Sequence, residues 1–253
     1  MSTSSPRLHA LVTGASRGIG RAIARELATR GCRVAGHYQK NAEAAAETLA
    51  LLAGGGHALF AADLAAPAEV DRLWREVTAA FGRIDILVNN AGLYTEHAPL
   101  ATSTDGWQTE WRQTLAVNLL APAQLCHLAA HAMVAAGGGR IVNISSRGAY
   151  RGEPRAPAYG ASKAGLNSLS QSLAVALAPR GVAVFGLAPG WVATDMAADY
   201  LEGPCAAEIL GQHPLGRVAT AEEIAHAAVY CALDAPLAMT GAIVDVNGAS
   251  YLR

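Results

Sequence analysis

The sequence predicts an α/β fold in a single domain: a doubly wound, seven-stranded parallel sheet with helices on both faces. Three observations carry this. At 253 residues the chain has the length of one large α/β domain. Hydrophobic residues make up 52% and charged residues 15%, which excludes a disordered chain, since disorder needs low hydrophobicity and high net charge. Short apolar or β-branched runs alternate with longer helical patterns throughout. Such βαβα alternation builds a parallel sheet, and right-handed crossovers put helices on both of its faces.

The elements follow in order. His9–Thr13 is the first strand, and a glycine-rich turn leads from it into a helix over Ile19–Arg30. Arg33–His37 is the second strand and Ala42–Ala53 the second helix, which Gly54-Gly55-Gly56 stops ahead of the strand His57–Ala61. Helix Ala68–Phe81 leads into Ile84–Asn89. Its run Ile84-Asp85-Ile86-Leu87-Val88 is nearly all apolar, as expected of a parallel strand covered on both sides. A long helix over Trp107–Ala136 ends at Gly137-Gly138-Gly139, before the strand Arg140–Ile144. Both glycine triplets read as helix C-caps. Helix Ala158–Ala178, strand Val182–Ala188, helix Ala221–Leu233 and strand Ala242–Val246 complete the series. Trp191–Leu215 has no clear pattern and reads as a lid or binding loop.

Charge and cysteine usage narrow the class of protein. Nineteen Lys and Arg stand against twenty Asp and Glu, for a formal net charge of -1. Without a basic excess there is nothing to grip a phosphate backbone, so nucleic acid is not an expected partner. Cys32, Cys126, Cys205 and Cys231 are scattered, with no C-x-x-C. The start, MSTSSPRLHALVTG, lacks the basic segment and long apolar run of a signal peptide. A reduced, cytoplasmic protein is expected. Gln113 to Gly139 contains no Asp, Glu, Lys or Arg and is long enough to span a bilayer. It holds Asn118, Pro122, Gln124, His127 and His131 and is otherwise mostly alanine and leucine, which is weak hydropathy for a span. A helix buried on all sides explains it better than a membrane segment.

Thr13-Gly14-Ala15-Ser16-Arg17-Gly18-Ile19-Gly20 follows the first strand and opens a helix. Its glycines permit a tight turn and let backbone N–H groups approach a pyrophosphate at the helix N-terminus. The spacing is G-x-x-x-G-x-G. Asn89-Asn90-Ala91-Gly92 follows the fourth strand, Asn118 lies on the next helix and Ser145-Ser146 ends the fifth strand. Tyr159-Gly160-Ala161-Ser162-Lys163 forms Y-x-x-x-K, and Pro189-Gly190 with Thr194 follows the sixth strand. On these motifs the sequence resembles the short-chain dehydrogenase/reductase family over essentially its whole length. It is most similar there to 3-oxoacyl-(acyl-carrier-protein) reductases.

The resemblance implies a Rossmann-type domain and an NAD(P)-dependent enzyme acting on CH–OH and C=O groups. It implies that Gly14, Ser16, Arg17, Gly18, Ile19 and Gly20 hold the pyrophosphate side of the cofactor. Asp63, with Leu64, would meet the adenine, and Asn90, Ala91 and Gly92 would lie under the adenosine ribose. Pro189, Gly190, Val192 and Thr194 would hold the nicotinamide end, beside Tyr159 and Lys163. An NAD site places an acidic side chain about 20 residues past the glycine turn, yet between Glu26 and Glu43 there is none. Arg17 and the run Gln39-Lys40-Asn41 offer cations instead, which suit a 2′-phosphate. NADP(H), contacted by Arg17, Lys40 and Asn41, is the expected cofactor; otherwise Arg17 and Lys40 are ordinary solvated charges.

On a helix, Tyr159 and Lys163 share a face. A phenol of pKa about 10 is a poor proton donor and acceptor at neutral pH, and a nearby ammonium lowers that value. In the family the serine thirteen residues before the tyrosine, here Ser146, hydrogen-bonds the substrate oxygen where charge develops. Asn118 matches the asparagine that holds a water linking the lysine to solvent. Asn118, Ser146, Tyr159 and Lys163 are thus the expected catalytic set. His127 and His131 have ligand spacing but no third partner, and no metal is expected.

Gln113–Gly139 and Ala164–Pro179 lack charge all round, so something covers them. The family pairs these two helices with a partner's copies, which implies a homotetramer. Leu93, Tyr94, the Arg147–Arg155 loop, Trp191 and Ala193–Leu215 are expected to line the substrate pocket. Within it, Arg147, Arg151, Arg155 and Glu153 either meet a polar or anionic substrate or are solvated and ion-paired. The expected partner is a small-molecule carbonyl or alcohol substrate, with 3-oxoacyl thioesters the leading class. A sugar, steroid, pteridine or small ketone is the alternative. A cofactor-sensing protein without turnover is the distant one, disfavoured by the presence of both Tyr159 and Lys163. The terminal Val246-Asn247-Gly248-Ala249 departs from the family's usual V-D-G-G.

Overall fold

The computed structural model describes residues 7–195 and 197–253. The strands are β1 (His9–Val12), β2 (Arg33–Tyr38), β3 (Ala58–Ala61), β4 (Ile86–Asn89), β5 (Gly139–Ile144), β6 (Val182–Pro189) and β7 (Ile243–Val246). The main helices are α1 (Gly18–Thr29), α2 (Ala42–Ala50), α3 (Pro67–Phe81), α4 (Thr104–Ala135), α5 (Pro157–Leu177) and α6 (Ala221–Val229). All strands pair in parallel, in the order β3-β2-β1-β4-β5-β6-β7. The winding direction reverses between β1 and β4. The connections leaving these two strands therefore diverge and open a crevice at their C-terminal ends.

Two apolar layers follow from the alternation of side chains along each strand. Ala10 and Val12 of β1 pack with Ile23 and Leu27 of α1 and Ile224 and Val229 of α6. Leu11, between them, faces the opposite layer, with Leu73 of α3, Leu125 of α4 and Ala174 of α5. Each fully buried valine, leucine or isoleucine among these contributes about 1.5–3 kcal/mol. Between β4 and β5 the core is polar: Asn89 Nδ2 donates to Asn143 Oδ1 (2.8 Å) and to Cys126 Sγ (3.3 Å), and Asn143 Nδ2 donates to Ser170 Oγ (2.8 Å). This buried network ties α4 and α5 to the sheet, and these helices carry Asn118, Tyr159 and Lys163.

The element ends differ from expectation for local reasons. α4 starts at Thr104, ahead of Trp107, because the Ser103 hydroxyl accepts from Gly106 N and caps it. Gly138 N donates to Met133 O and Gly137 N to Val134 O, with Gly137 at φ +88°, so the second glycine triplet does cap α4. The first does not: α2 ends at Ala50, with Leu51 in the cap position. A π-helical turn over Ala116–Leu120 interrupts α4, and a second, Tyr230–Asp234, extends α6. The expected irregular loop contains short helices at Ala198–Leu201 and Ala206–Gly211. It begins with Val192–Ala193 paired to Ala219–Thr220. Met196 lies outside the described residues. Among the described residues α4 is the one helix long and apolar enough to cross a membrane, and half of its most apolar stretch is buried in the fold. Its burial is incomplete: Leu120 on α4 is 61% exposed, and Val175 on the neighbouring α5 is 80% exposed.

Candidate active site

The crevice is a cleft of about 490 Å³ running from the β2–α2 connection to the segment after β6, a size suited to a bound small molecule. Its floor is the turn between β1 and α1. Gly14 and Gly18 have φ of +66° and +52°, a region where side chains are strained. A Cβ on Gly20 would overlap Gly14 O and lie 2.5 Å from Asn90 Nδ2, so only glycine lets α1 approach the turn this closely. The cap residue of α1, Arg17, makes no side-chain cap bond, and no acidic residue sits in the helix's first turn. The N–H groups at this end therefore face the cleft without a competing anion, which is the donor set a pyrophosphate requires.

The turn is held from two sides that sequence reasoning missed. Asn90 Nδ2 donates to Thr13 O (2.9 Å) and Gly14 O (3.3 Å), while Asn90 N and Ala91 N both donate to Thr13 Oγ1 at 3.0 Å. Asn90 thus braces the turn with its side chain. On the other side Gly14 N donates to His37 Nδ1 (3.2 Å), whose Nε2 meets Ala62 O (3.1 Å). Burial pushes the His37 pKa down to about 4, so the ring is neutral, accepting at Nδ1 and donating at Nε2. No motif announces His37, whose role rests on contacts between separate strands.

Lys40, Asp63 and Leu64 line the end of the cleft nearest β2 and β3. Asp63 Oδ1 accepts from Gln39 Nε2 and from Ala65 N, both at 3.0 Å, so it also holds the turn before α3. Asn41 departs from the expected cofactor contact. Its Oδ1 accepts from Ala44 N (2.9 Å) as the cap of α2, and it does not line the cleft. Pro189, Gly190, Val192 and Thr194 line the opposite end, together with Trp191.

Ser146, Tyr159 and Lys163 meet in the same cleft as the glycine turn. Ser146 stands two residues past the end of β5, and its Oγ accepts from Gly148 N (3.0 Å), leaving its own proton free to donate. Tyr159 stands in the first turn of α5. Ala158 N donates to His97 Nε2 (3.1 Å), a cap supplied from a different loop. Ser145 Oγ donates to Lys163 O (3.1 Å) and pins α5 to β5. Lys163 Nζ donates to Ile144 O (2.8 Å) and lies 5.6 Å from the centre of the Tyr159 ring.

The electrostatics differ from the expectation that the ammonium brings the phenol down. Desolvation pushes the Tyr159 phenol up to about 12, Ser146 opposing and Glu153 adding to it. Burial likewise lowers Lys163 to about 8. Both charged forms are disfavoured because little water reaches them. For Lys163 the unfolded chain holds the extra proton between pH 8 and its ordinary 10.5. Its contribution to stability should therefore rise with pH across that window. Denaturation midpoints measured across it should show a rise that Lys163→Met flattens; an unaltered slope would mean that the lysine titrates normally.

Asn118 lies in the π-helical turn of α4, fully buried. Its Oδ1 accepts from Leu93 N (2.8 Å), and its Nδ2 donates to Leu93 O (2.9 Å) and Ser162 Oγ (3.2 Å). Both amide protons and one lone pair are thus engaged. A water could reach the amide only through the remaining lone pair, so its first task is to hold Leu93 and the cleft wall. Asn118 is therefore next to the site and braces it.

The loop between Ser146 and Tyr159 divides its arginines. Arg155 pairs with Glu96 (2.6 Å), while Arg147 and Arg151 both donate to Gln212 Oε1, at 3.0 and 2.7 Å. Arg147 is buried, and desolvation first, then Arg151, pushes its pKa down to about 10, with Glu153 opposing. Among the described residues no group of three His, Cys, Asp or Glu side chains could hold a metal. His127 and His131 meet edge to face, ring centres 4.7 Å apart.

Residues 14–249 match a family model described as enoyl-(acyl carrier protein) reductase. The chain is 41% identical to the D-threitol dehydrogenase of Mycolicibacterium smegmatis, over 96% of this chain and 93% of that protein. It is 37% identical to the 3-oxoacyl-[acyl-carrier-protein] reductase of Escherichia coli, over 96% and 97%. A crystal structure from Beutenbergia cavernae, described as an NAD(P)-dependent gluconate 5-dehydrogenase with NADP bound at low occupancy, superposes with a TM-score of 0.87. The two are 39% identical over 97% of this chain and 98% of that one.

Proposed function

The chain belongs to the short-chain dehydrogenase/reductase family, and on that premise we propose that it is an NADP(H)-dependent oxidoreductase interconverting a ketone and a secondary alcohol. The observation that carries the reading is the meeting, in one cleft, of a bare helix N-terminus over a glycine turn with Ser146, Tyr159 and Lys163. The turn, Asp63 and Leu64, and the Pro189–Thr194 segment would hold the cofactor, with Arg17 and Lys40 on its 2′-phosphate. The NADP in the Beutenbergia relative supports that choice.

NADPH, when bound, supplies the hydride for the carbonyl carbon. Ser146 donates a hydrogen bond to the substrate oxygen as charge gathers there. The Tyr159 hydroxyl gives that oxygen its proton, and the alcohol forms. Lys163, when protonated, stabilises the phenolate left behind, and a proton from solvent restores the phenol. In the oxidative direction the phenolate takes the alcohol proton. Asn118 contributes by fixing Leu93 at the cleft wall.

The names of the relatives divide between an acyl thioester and polyols or sugar acids. The test is NADPH oxidation with an acetoacetyl thioester, a ketose panel and small ketones. Turnover of at least one of them, lost in Tyr159→Phe, supports the reading. No turnover of any, by a protein that binds NADPH, overturns it.

Assembly is the second part of the proposal. Leu120 and Val175 stand exposed on α4 and α5, whose uncharged faces suit burial against copies of this chain in a homotetramer. Light scattering should give a mass about four times the 26.0 kDa chain, and a monomeric mass would reject the assembly. Free cysteines at 32, 126, 205 and 231 support a reducing, cytoplasmic setting.

A further inference from the structure

Resting on the oxidoreductase reading, we propose that the substrate is a neutral polyhydroxylated compound, a polyol or its ketose. We infer that Glu153 selects it by accepting hydrogen bonds from hydroxyls beside the reacting carbon.

Glu153 lies in the turn between Ser146 and Tyr159 and lines the cleft. Its carboxylate rests over Gly148, where a Cβ would overlap Glu153 Oε1; glycine there makes its place. Glu153 shares the lining of the cleft with Tyr159 and Tyr94, and its charge adds to the rise of both phenols, after desolvation. Yet among the described residues the carboxylate has no charged partner. It takes part in none of the ion pairs among the described residues. The three arginines of its own loop turn to Gln212 and Glu96 instead. Burial raises its pKa, and Arg151 and Arg147 pull the other way from a distance.

A partly buried carboxylate that no cation of the fold pairs with is free to accept hydrogen bonds from a ligand that brings donors. That requirement sorts the candidate substrates. A 3-oxoacyl chain offers only C–H groups next to its ketone and would leave the carboxylate unpaired. A carboxylate or phosphate on the substrate would be repelled by it, and a cation would be opposed by Arg147 and Arg151. Neutral hydroxyls satisfy it. The aromatic lining of the cleft suits the same ligand. Tyr94, Tyr200 and Trp191 line the cleft as an aromatic cluster, Tyr94 edge-on to Tyr200 with ring centres 6.0 Å apart and Trp191 tilted against Tyr200 at 5.3 Å. Such faces pack on the C–H side of a polyol chain while the carboxylate takes its hydroxyl edge.

The test compares kcat/KM for NADPH-dependent reduction of the ketoses erythrulose and xylulose, of butan-2-one and of an acetoacetyl thioester. The wild type should prefer the better ketose over butan-2-one by at least about 100-fold, as a site built for hydroxyls discriminates against a substrate lacking them. Glu153→Gln should lose at least about tenfold of that preference, mainly through KM, with Glu153→Asp recovering part of it. Fluorescence of bound NADPH reports that each variant is folded. If butan-2-one or the thioester is the better wild-type substrate, the polyol assignment falls and the oxidoreductase reading stands. Equal losses for ketose and butan-2-one in Glu153→Gln would remove the selecting role of Glu153. No turnover of any of the four would overturn both.

Discussion

Tyr159→Phe is expected to lower the turnover number by about 10²–10⁴-fold, the usual contribution of a positioned proton donor, while the protein still takes up NADPH. The substitution removes one oxygen and little else. The ring keeps its edge contact with Tyr94, centres 5.1 Å apart, and its place near Lys163 Nζ. Ser146 remains to polarise a substrate oxygen and leaves a residual rate. Single-turnover rates, beside a fluorescence titration with NADPH, separate chemistry from binding. Activity retained within a factor of about three would contradict the assignment of the proton to this phenol. Since solvent exclusion holds the phenol up at about 12, it is fully protonated at neutral pH. It is therefore ready to act as the acid in the reductive direction.

The second large effect is expected for Arg17→Ala combined with Lys40→Ala. Both side chains are exposed at the rim of the cleft. Arg17 reaches Asp195 only at 4.0 Å, and Lys40 enters no ion pair among the described residues, so neither is committed elsewhere. Charge-assisted bonds to a phosphate are stronger than neutral ones, yet exposed groups are screened. Losing two should weaken NADPH by roughly 10–100-fold and NADH by far less. The wild-type preference for NADPH should also shrink as salt is raised. Equal losses for the two cofactors would refute the 2′-phosphate contacts.

Determined by sequence alone were the strand series, the parallel sheet and the positions of Gly14, Gly18, Gly20, Ser146, Tyr159 and Lys163. These are local properties. A strand's apolar run, a glycine that must take positive φ and a tyrosine one helical turn from a lysine are set by residues adjacent in the chain. What the tertiary structure decided were meetings between distant segments. His97 caps the helix of Tyr159 across 61 residues, Asn118 closes on Leu93 across 25, and Gln212 draws Arg147 and Arg151 away from Glu153. Asn41 reads as a cofactor contact until the cap of α2 claims it. The phenol's high pKa likewise follows from burial in the assembled fold, a quantity that no spacing of residues encodes.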